Sequence, residues 1–185
     1  MPQFTHLHVH SHYSLLDGLS KIDELVRRAG QLGFDSLALT DHGVLYGAIE
    51  FYQKAAKAGI KPILGCELYI AAEGMRDKRP GIDHKRFHLT ALARNYEGYR
   101  NLIKIVTQAH LEGFYYKPRA DKELLRTYAA GITVLSGCLN SEISQAILGR
   151  KLDAAERLIA EYRDIFGKDY FYLELGAHPG IPEQK

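Results

Sequence analysis

Nine histidines are spread over the 185 residues, and four of them fall within the first twelve. In His6-Leu7-His8-Val9-His10 the imidazoles alternate with apolar side chains. On a β-strand, residues two apart project to the same side, so His6, His8 and His10 would share one face and Leu7 and Val9 the other. Neutral imidazole is the commonest protein ligand for zinc and related metals. A bound cation accounts for such a face; the alternative is a solvated polar face on an edge strand. Thr40-Asp41-His42-Gly43 follows an apolar run, DSLAL. In parallel α/β folds, ligands bind at the carboxyl ends of strands, where Asp41 and His42 would lie. An N-capping or turn aspartate beside a surface histidine is the competing account. Glu67 is embedded in KPILGCELYIA, and an acid in so apolar a strand is costly unless paired or coordinating. It could bridge two metals, or pair with a Lys or Arg at a barrel mouth. Cys66 beside it fits a small core residue. His88 opens another strand and Cys138 closes a further one, so each adds a ligand type at a strand terminus. Asp17 falls in a loop that could reach the same mouth. His12, His84, His110 and His178 fit surface positions. No G-x-S-x-G elbow, Walker loop or G-x-G-x-x-G run is present.

These residues need a scaffold of strands and helices. Strands are expected at 4–10, 35–39, 61–70, 87–93, 132–135 and 170–175. Helices are expected at 21–31 with Ser20 as N-cap, at 46–58 stopped by Gly59, and at 97–111, 122–129, 141–148 and 154–166. Strands separated by single helices imply βα units and a mainly parallel sheet, and six strands suit a barrel. The segment 73–86 reads as a charged loop, locally basic through Arg76, Lys78, Arg79, Lys85 and Arg86. It is expected to lie near the site and to contact a phosphate backbone or a neighbouring domain. Pro182 and Glu183 look like the first turn of a further helix, so the chain is expected to be a piece of a longer protein.

Composition bounds the rest. Apolar residues make up 46% and charged residues 25%, ordinary for one globular domain. Lys plus Arg total 24 against 22 for Asp plus Glu, without the basic excess of a non-specific duplex binder. No apolar run approaches the ~20 residues of a membrane span, and the first residues lack the pattern of a signal peptide. Two cysteines are too few for a disulfide framework, and a cytoplasmic location is the expectation.

The runs HLHVHSHYSLLDG, ALTDHGVLYGAIEFYQKA and GIKPILGCELYIA resemble the polymerase and histidinol phosphatase (PHP) family. The variant they resemble stands at the start of the alpha subunits of bacterial replicative polymerases, the DNA polymerase III type. The likeness continues through FHLTALARNYEGYRNLIKI, EGFYYKPRAD, GITVLSGCLNSEI and FYLELGAHPGIPEQ, so it spans essentially the whole chain. It implies a distorted (β/α)7 barrel occupying residues 1–185 and ending before its last strand. It also implies up to three divalent metals, zinc first, with manganese or iron as substitutes. By motif match His8, His10 and Glu67 would serve one metal, Asp17 and His42 a second, and Glu67, His88 and Cys138 a third, with Glu67 bridging. Two further ligands would come from an Asp-x-His motif beyond Lys185. The chain reads GAHPG where many relatives differ, and no ligand role carries over to His178. The implied partners are DNA, the remainder of the polymerase chain and other replisome subunits such as a proofreading exonuclease. Three functions follow: a nucleotidyltransferase whose PHP domain hydrolyses DNA 3′ ends, the same polymerase with a structural docking domain, or a free-standing phosphatase of the histidinol phosphate type.

Overall fold

The computed structural model describes residues 4–15, 17–176 and 180. The tail around Pro182 and the position of His178 lie outside them. Among the described residues six helices and six strands are interleaved, with β2 and β3, and α5 and α6, consecutive. Their order is α1 (Ile22–Gln31), β1 (Ser36–Leu39), α2 (Ala48–Lys57), β2 (Lys61–Ala71), β3 (Arg86–Ala93), α3 (Tyr96–Leu111), β4 (Arg119–Ala120), α4 (Lys122–Thr127), β5 (Ile132–Leu135), α5 (Glu142–Leu148), α6 (Leu152–Phe166) and β6 (Phe171–Tyr172). The helices form where apolar residues recur at helical spacing: Ile22, Val26 and Ala29 on α1, and Leu102, Ile105 and Ala109 on α3, are buried. Asn95, Asp121 and Ser141 cap α3, α4 and α5, each accepting from a backbone N–H of the first turn. Ser20 does not cap α1, whose N-cap is Lys21 without a side-chain bond.

The strands form one sheet in the order β1-β2-β3-β5-β6, with β4 also on β2. β2 is the axis: β1 pairs with its first half, β4 with its second half and β3 with its other edge. Every residue of β2 from Gly65 to Ala71 is buried, so Glu67 lies in covered territory. The sheet is mixed rather than mainly parallel, because β3 runs antiparallel to both β2 and β5. The cause is the 72–85 connection, which contains no crossover helix and returns the chain directly alongside β2.

Residues 4–10 do not form the expected strand. They run beside β1 through only two backbone bonds, Ala38 N–H to His6 O and Thr40 N–H to Val9 O. Thr40 takes a third place with its hydroxyl, which accepts from Val9 N–H. The sheet curls strongly. β1 and β6 stand four strand spacings apart, about 19 Å in a flat sheet. Yet His8, in the segment beside β1, touches Glu174, two residues past β6, at 2.7 Å. Leu7, Ala38, Ile63, Leu92 and Leu135 fill the inner face of this curl. The helices pack outside in two larger clusters, α1 and α2 over β1, and α3 to α6 over β2, β3, β5 and β6. No helix among the described residues is long and apolar enough to cross a membrane.

Candidate metal centre

Each chemical residue is delivered by a local device. Glu67 sits on β2 where its side chain is 1% exposed. His88 comes from β3, opposite Tyr69 of β2 and before the pairing with β5 begins, and its N–H donates to Asn140 O. His42 comes from the turn after β1, which is sewn to β2 by Gly43 N–H donating to Glu67 O. Gly43 has φ +64°, and a Cβ there would meet Pro118 Cγ at 2.9 Å, so glycine is required on two counts. His110, expected at the surface, is half-buried on α3 and braces the same turn by a 2.9 Å contact from Nε2 to Gly43 O. Cys138 follows Gly137, whose φ is +85° and whose missing Cβ would lie 2.9 Å from His88 O.

Asp41 is buried and turned away from the histidines. Its carboxylate accepts from Ser11 N–H at 2.6 Å, Ser11 Oγ at 2.9 Å and Ser14 Oγ at 3.2 Å. Ser14 Oγ in turn accepts from His42 N–H. Asp41 therefore folds the 11–18 loop, and that loop brings Asp17 Oδ2 to 2.7 Å from His42 Nε2.

The result converges on Glu67. Its Oε2 lies 3.0 Å from His8 Nε2, 2.8 Å from His10 Nε2 and 3.1 Å from His42 Nδ1. Its Oε1 lies 2.7 Å from His88 Nδ1, and Cys138 Sγ is 3.6 Å from that oxygen and 3.5 Å from His88 Nδ1. All seven residues expected from the sequence thus meet at one mouth. His6 does not join them; it is exposed and packs edge-on against Phe4 and Phe34. His12 and His84 also stay outside, and Cys66 is a core residue. A residue not anticipated, Glu174, holds His8 Nδ1 at 2.7 Å.

Glu67 Oε1 hydrogen-bonds with His88 Nδ1, but proximity at Oε2 is not hydrogen bonding. Although the distances are short, Glu67 Oε2, His10 Nε2 and His42 Nδ1 are buried in orientations that make no hydrogen bond. Buried polar atoms are ordinarily satisfied. Lone pairs of a carboxylate and several imidazoles turned toward common points are what a cation needs. Among the described residues, three sets have ligand atoms within 4.8 Å of one another: His8, His10 and Glu67; His10, Asp17 and His42; and His42, Glu67 and His88. The donors are imidazole, carboxylate and thiol, a set suited to zinc and its neighbours. The charge balance agrees. Burial pushes Glu67 up, but the surrounding His10, His8 and His88 outweigh it and hold the carboxyl far below its usual range. Burial lowers His8, yet contacts with Glu174 and Glu67 prevail and raise it to about 10. Burial lowers His42, against the pull of Glu67. Burial raises the Cys138 thiol to about 11, so its thiolate calls for a neighbouring cation. A cavity of about 430 Å³ opens onto His8, His10, Cys138 and Glu174.

Comparison with known proteins agrees with this geometry. The PHP domain family matches residues 6–178. DNA polymerase III subunit alpha of Thermus aquaticus is 49% identical over 99% of this chain and 15% of its own length. The same subunit of Treponema pallidum is 47% identical over 98% of this chain and 16% of its length. This chain therefore spans about one sixth of the relatives it matches. Among solved structures, an amidohydrolase from Chromobacterium violaceum, with bound sulfate and no metal, aligns with a TM-score of 0.55 at 16% identity, covering 92% of this chain and 76% of that one. A Bifidobacterium adolescentis protein assigned as a metal-dependent phosphoesterase aligns at 0.53 and 16%, covering 100% and 81%. These two establish likeness of fold. With its family match spanning nearly all of its length and its histidines, Glu67 and Cys138 gathered at one mouth of a curled α/β sheet, the chain belongs to the PHP domain family.

Proposed function

We propose that residues 1–185 are the PHP domain of a longer replicative polymerase chain, a nucleotidyltransferase, and that the domain hydrolyses phosphodiester bonds at DNA 3′ ends. The observation that carries this is Glu67, one buried carboxylate approached by four imidazoles and a thiol. His8, His10 and Glu67 would hold one divalent ion, Asp17 and His42 a second, and Glu67, His88 and Cys138 a third, with zinc the best match and manganese or iron able to substitute. Ions held there supply Lewis-acid activation of water and offset charge on the attacked phosphoryl group. The chain's own contribution is positional. β2 fixes the shared carboxylate, Asp41 folds the loop that aims Asp17, and the Gly43 turn sets the His42 ring. The partners implied are DNA, the rest of the polymerase and a separate proofreading exonuclease, in the cytoplasm. The relatives at 47–49% identity favour this over a free-standing phosphatase.

Glu67→Gln keeps the size of the side chain and removes its charge. The variant is expected to lose bound metal by mass spectrometry and to stop shortening a 3′-labelled oligonucleotide. Unchanged metal content in Glu67→Gln would end the bridging role. Metal without cleavage in the unaltered chain would leave a structural, docking domain.

A further inference from the structure

Glu174 falls within the run FYLELGAHPGIPEQ but in none of the three ligand groups that the resemblance implies. It lies just past β6, and its placement is built rather than incidental. Its backbone N–H donates to Ser136 Oγ at 2.9 Å, and Ser136 N–H donates to Tyr172 O, which pins this stretch to the end of β5. Its carboxylate reaches His8 Nδ1 at 2.7 Å through Oε1 and Thr90 Oγ1 at 3.4 Å through Oε2. Thr90 is fully buried, sits opposite Glu67 in the β2–β3 register, and also lies 3.3 Å from His8 Nδ1. Among the described residues no lysine or arginine pairs with Glu174; its one ionic partner is His8. The His8 ring is thus held on both sides, Nδ1 by Glu174 and Nε2 facing Glu67 at 3.0 Å.

We infer that Glu174 is a positioning residue for the metal centre, acting through His8. A neutral imidazole carries one N–H. With Glu174 accepting from Nδ1–H, that proton is fixed on the outer nitrogen and the Nε2 lone pair is left for the ion beside Glu67. The carboxylate also locks the ring's rotation and raises its basicity as a ligand. Loss of such an outer partner commonly weakens metal binding about 10- to 100-fold. Ser136 and Thr90 extend the same chain of support, so the centre is tied to β5 and β6 as well as to β2.

The inference rests on the metal centre proposed above, and cobalt titration separates the two. The full chain, its Glu67→Gln form, Glu174→Ala and Glu174→Gln are titrated with Co²⁺, and visible absorption bands report the ligand field. Cobalt bound by the unaltered chain beyond that bound by Glu67→Gln belongs to this centre. Glu174→Ala is expected to lower that affinity about tenfold or more and to shift the bands. Glu174→Gln, which keeps an acceptor oxygen of the same reach, should recover part of the loss. In the zinc-loaded chain, long-range proton–nitrogen NMR should show His8 as the Nδ1–H tautomer, and a mixture in Glu174→Ala. If the alanine variant does not fold, the glutamine variant decides by the same affinity and bands. Affinity and bands equal to those of the unaltered chain would overturn the positioning role. No excess of cobalt over Glu67→Gln in the unaltered chain would instead overturn the metal centre.

Discussion

At the scale of single residues, the chemistry was legible because unusual residue types stood where strands end. His42, Glu67, His88 and Cys138 each announce themselves beside an apolar run, and the structure brings them together with His8, His10 and Asp17. Glu174 escaped because it sits between Leu173 and Leu175 in an alternating segment, where an acid reads as a solvent-facing position. Nothing local links it to His8, 166 residues away. Asp41 was ambiguous for the opposite reason: its neighbour His42 points to the centre, while its own carboxylate serves Ser11 and Ser14. That division makes a prediction. Asp41→Ala leaves three buried donors without an acceptor and should cost roughly 3 kcal/mol, measured in metal-free protein by denaturant unfolding. Asp17→Ala removes an exposed carboxylate and should leave metal-free stability within about 0.5 kcal/mol while lowering metal content. Equal stability of the two variants would mean that Asp41 does not hold the loop.

At the scale of elements, β1, β2, β3 and β5 were visible as apolar runs, with boundaries close to those observed. The pairing of β3 was not, because periodicity locates a strand without giving its direction. Direction follows from the connection, and the helix-free 72–85 segment forces a return. The two-residue β4 is too short for any pattern. The basic stretch 73–86 also shows what composition hides. Of its five basic side chains, Arg76 pairs with Glu112 and Arg79 with Asp83. Arg79 in turn holds Asp83 down at about 2. Lys85 and Arg86, with Ile82, His84, His88 and Asn140, line a hollow of about 550 Å³ beside the centre. Phosphate contact is therefore expected from these two rather than from Arg76 and Arg79. Reversing both charges should weaken binding of a single-stranded oligonucleotide and flatten its log–log salt dependence by about 1.4, at about 0.7 per phosphate. Arg76→Ala should change the slope little; the reverse result would return the role to Arg76.

The same loop depends on a buried arginine. Arg119, 1% exposed, donates to the carbonyls of Gly113, Asp83, Met75 and Asp77 at 2.6–3.1 Å. A single ammonium cannot span four acceptors, so neither Arg119→Met nor Arg119→Lys should preserve the loop. Both are expected to cost roughly 2–4 kcal/mol and to speed amide exchange between residues 75 and 85. Unchanged exchange there would show that the loop is held by its other contacts, Met75 N–H to Asp121 and Arg79 to Asp83.

At the scale of the whole molecule, the centre joins parts of the chain that the hydrophobic clusters leave separate. His8 and His10 come from the segment beside β1, Asp17 from the 11–18 loop, His42 from the β1–α2 turn, and Glu67, His88 and Cys138 from β2, β3 and the end of β5. The first of these is the most weakly tied. Residues 4–10 share two backbone bonds with β1, whereas β2 and β3 pair over seven residues above the α3 cluster. Without an ion, Glu67 Oε2 and His10 Nε2 are buried without a hydrogen bond, so His10 gains little by staying, while His8 is held chiefly from its outer side by Glu174. Ion binding should therefore act as a clamp that closes residues 4–10 onto the sheet. Removing metal with a chelator is expected to accelerate amide exchange across 4–10 while leaving α3 and the centre of β2 protected. It should also lower Tm, since an ion at 100 times its Kd contributes about 2.7 kcal/mol, and each kcal/mol corresponds to about 2–4 °C in a chain of this size. Restoring zinc should reverse both changes, and Glu67→Gln should respond to neither addition nor removal. If exchange across 4–10 is as slow after chelation as before, that segment is held without the ion, by Leu7 on the inner face, Val9 against α1 and α2 and its bonds to β1.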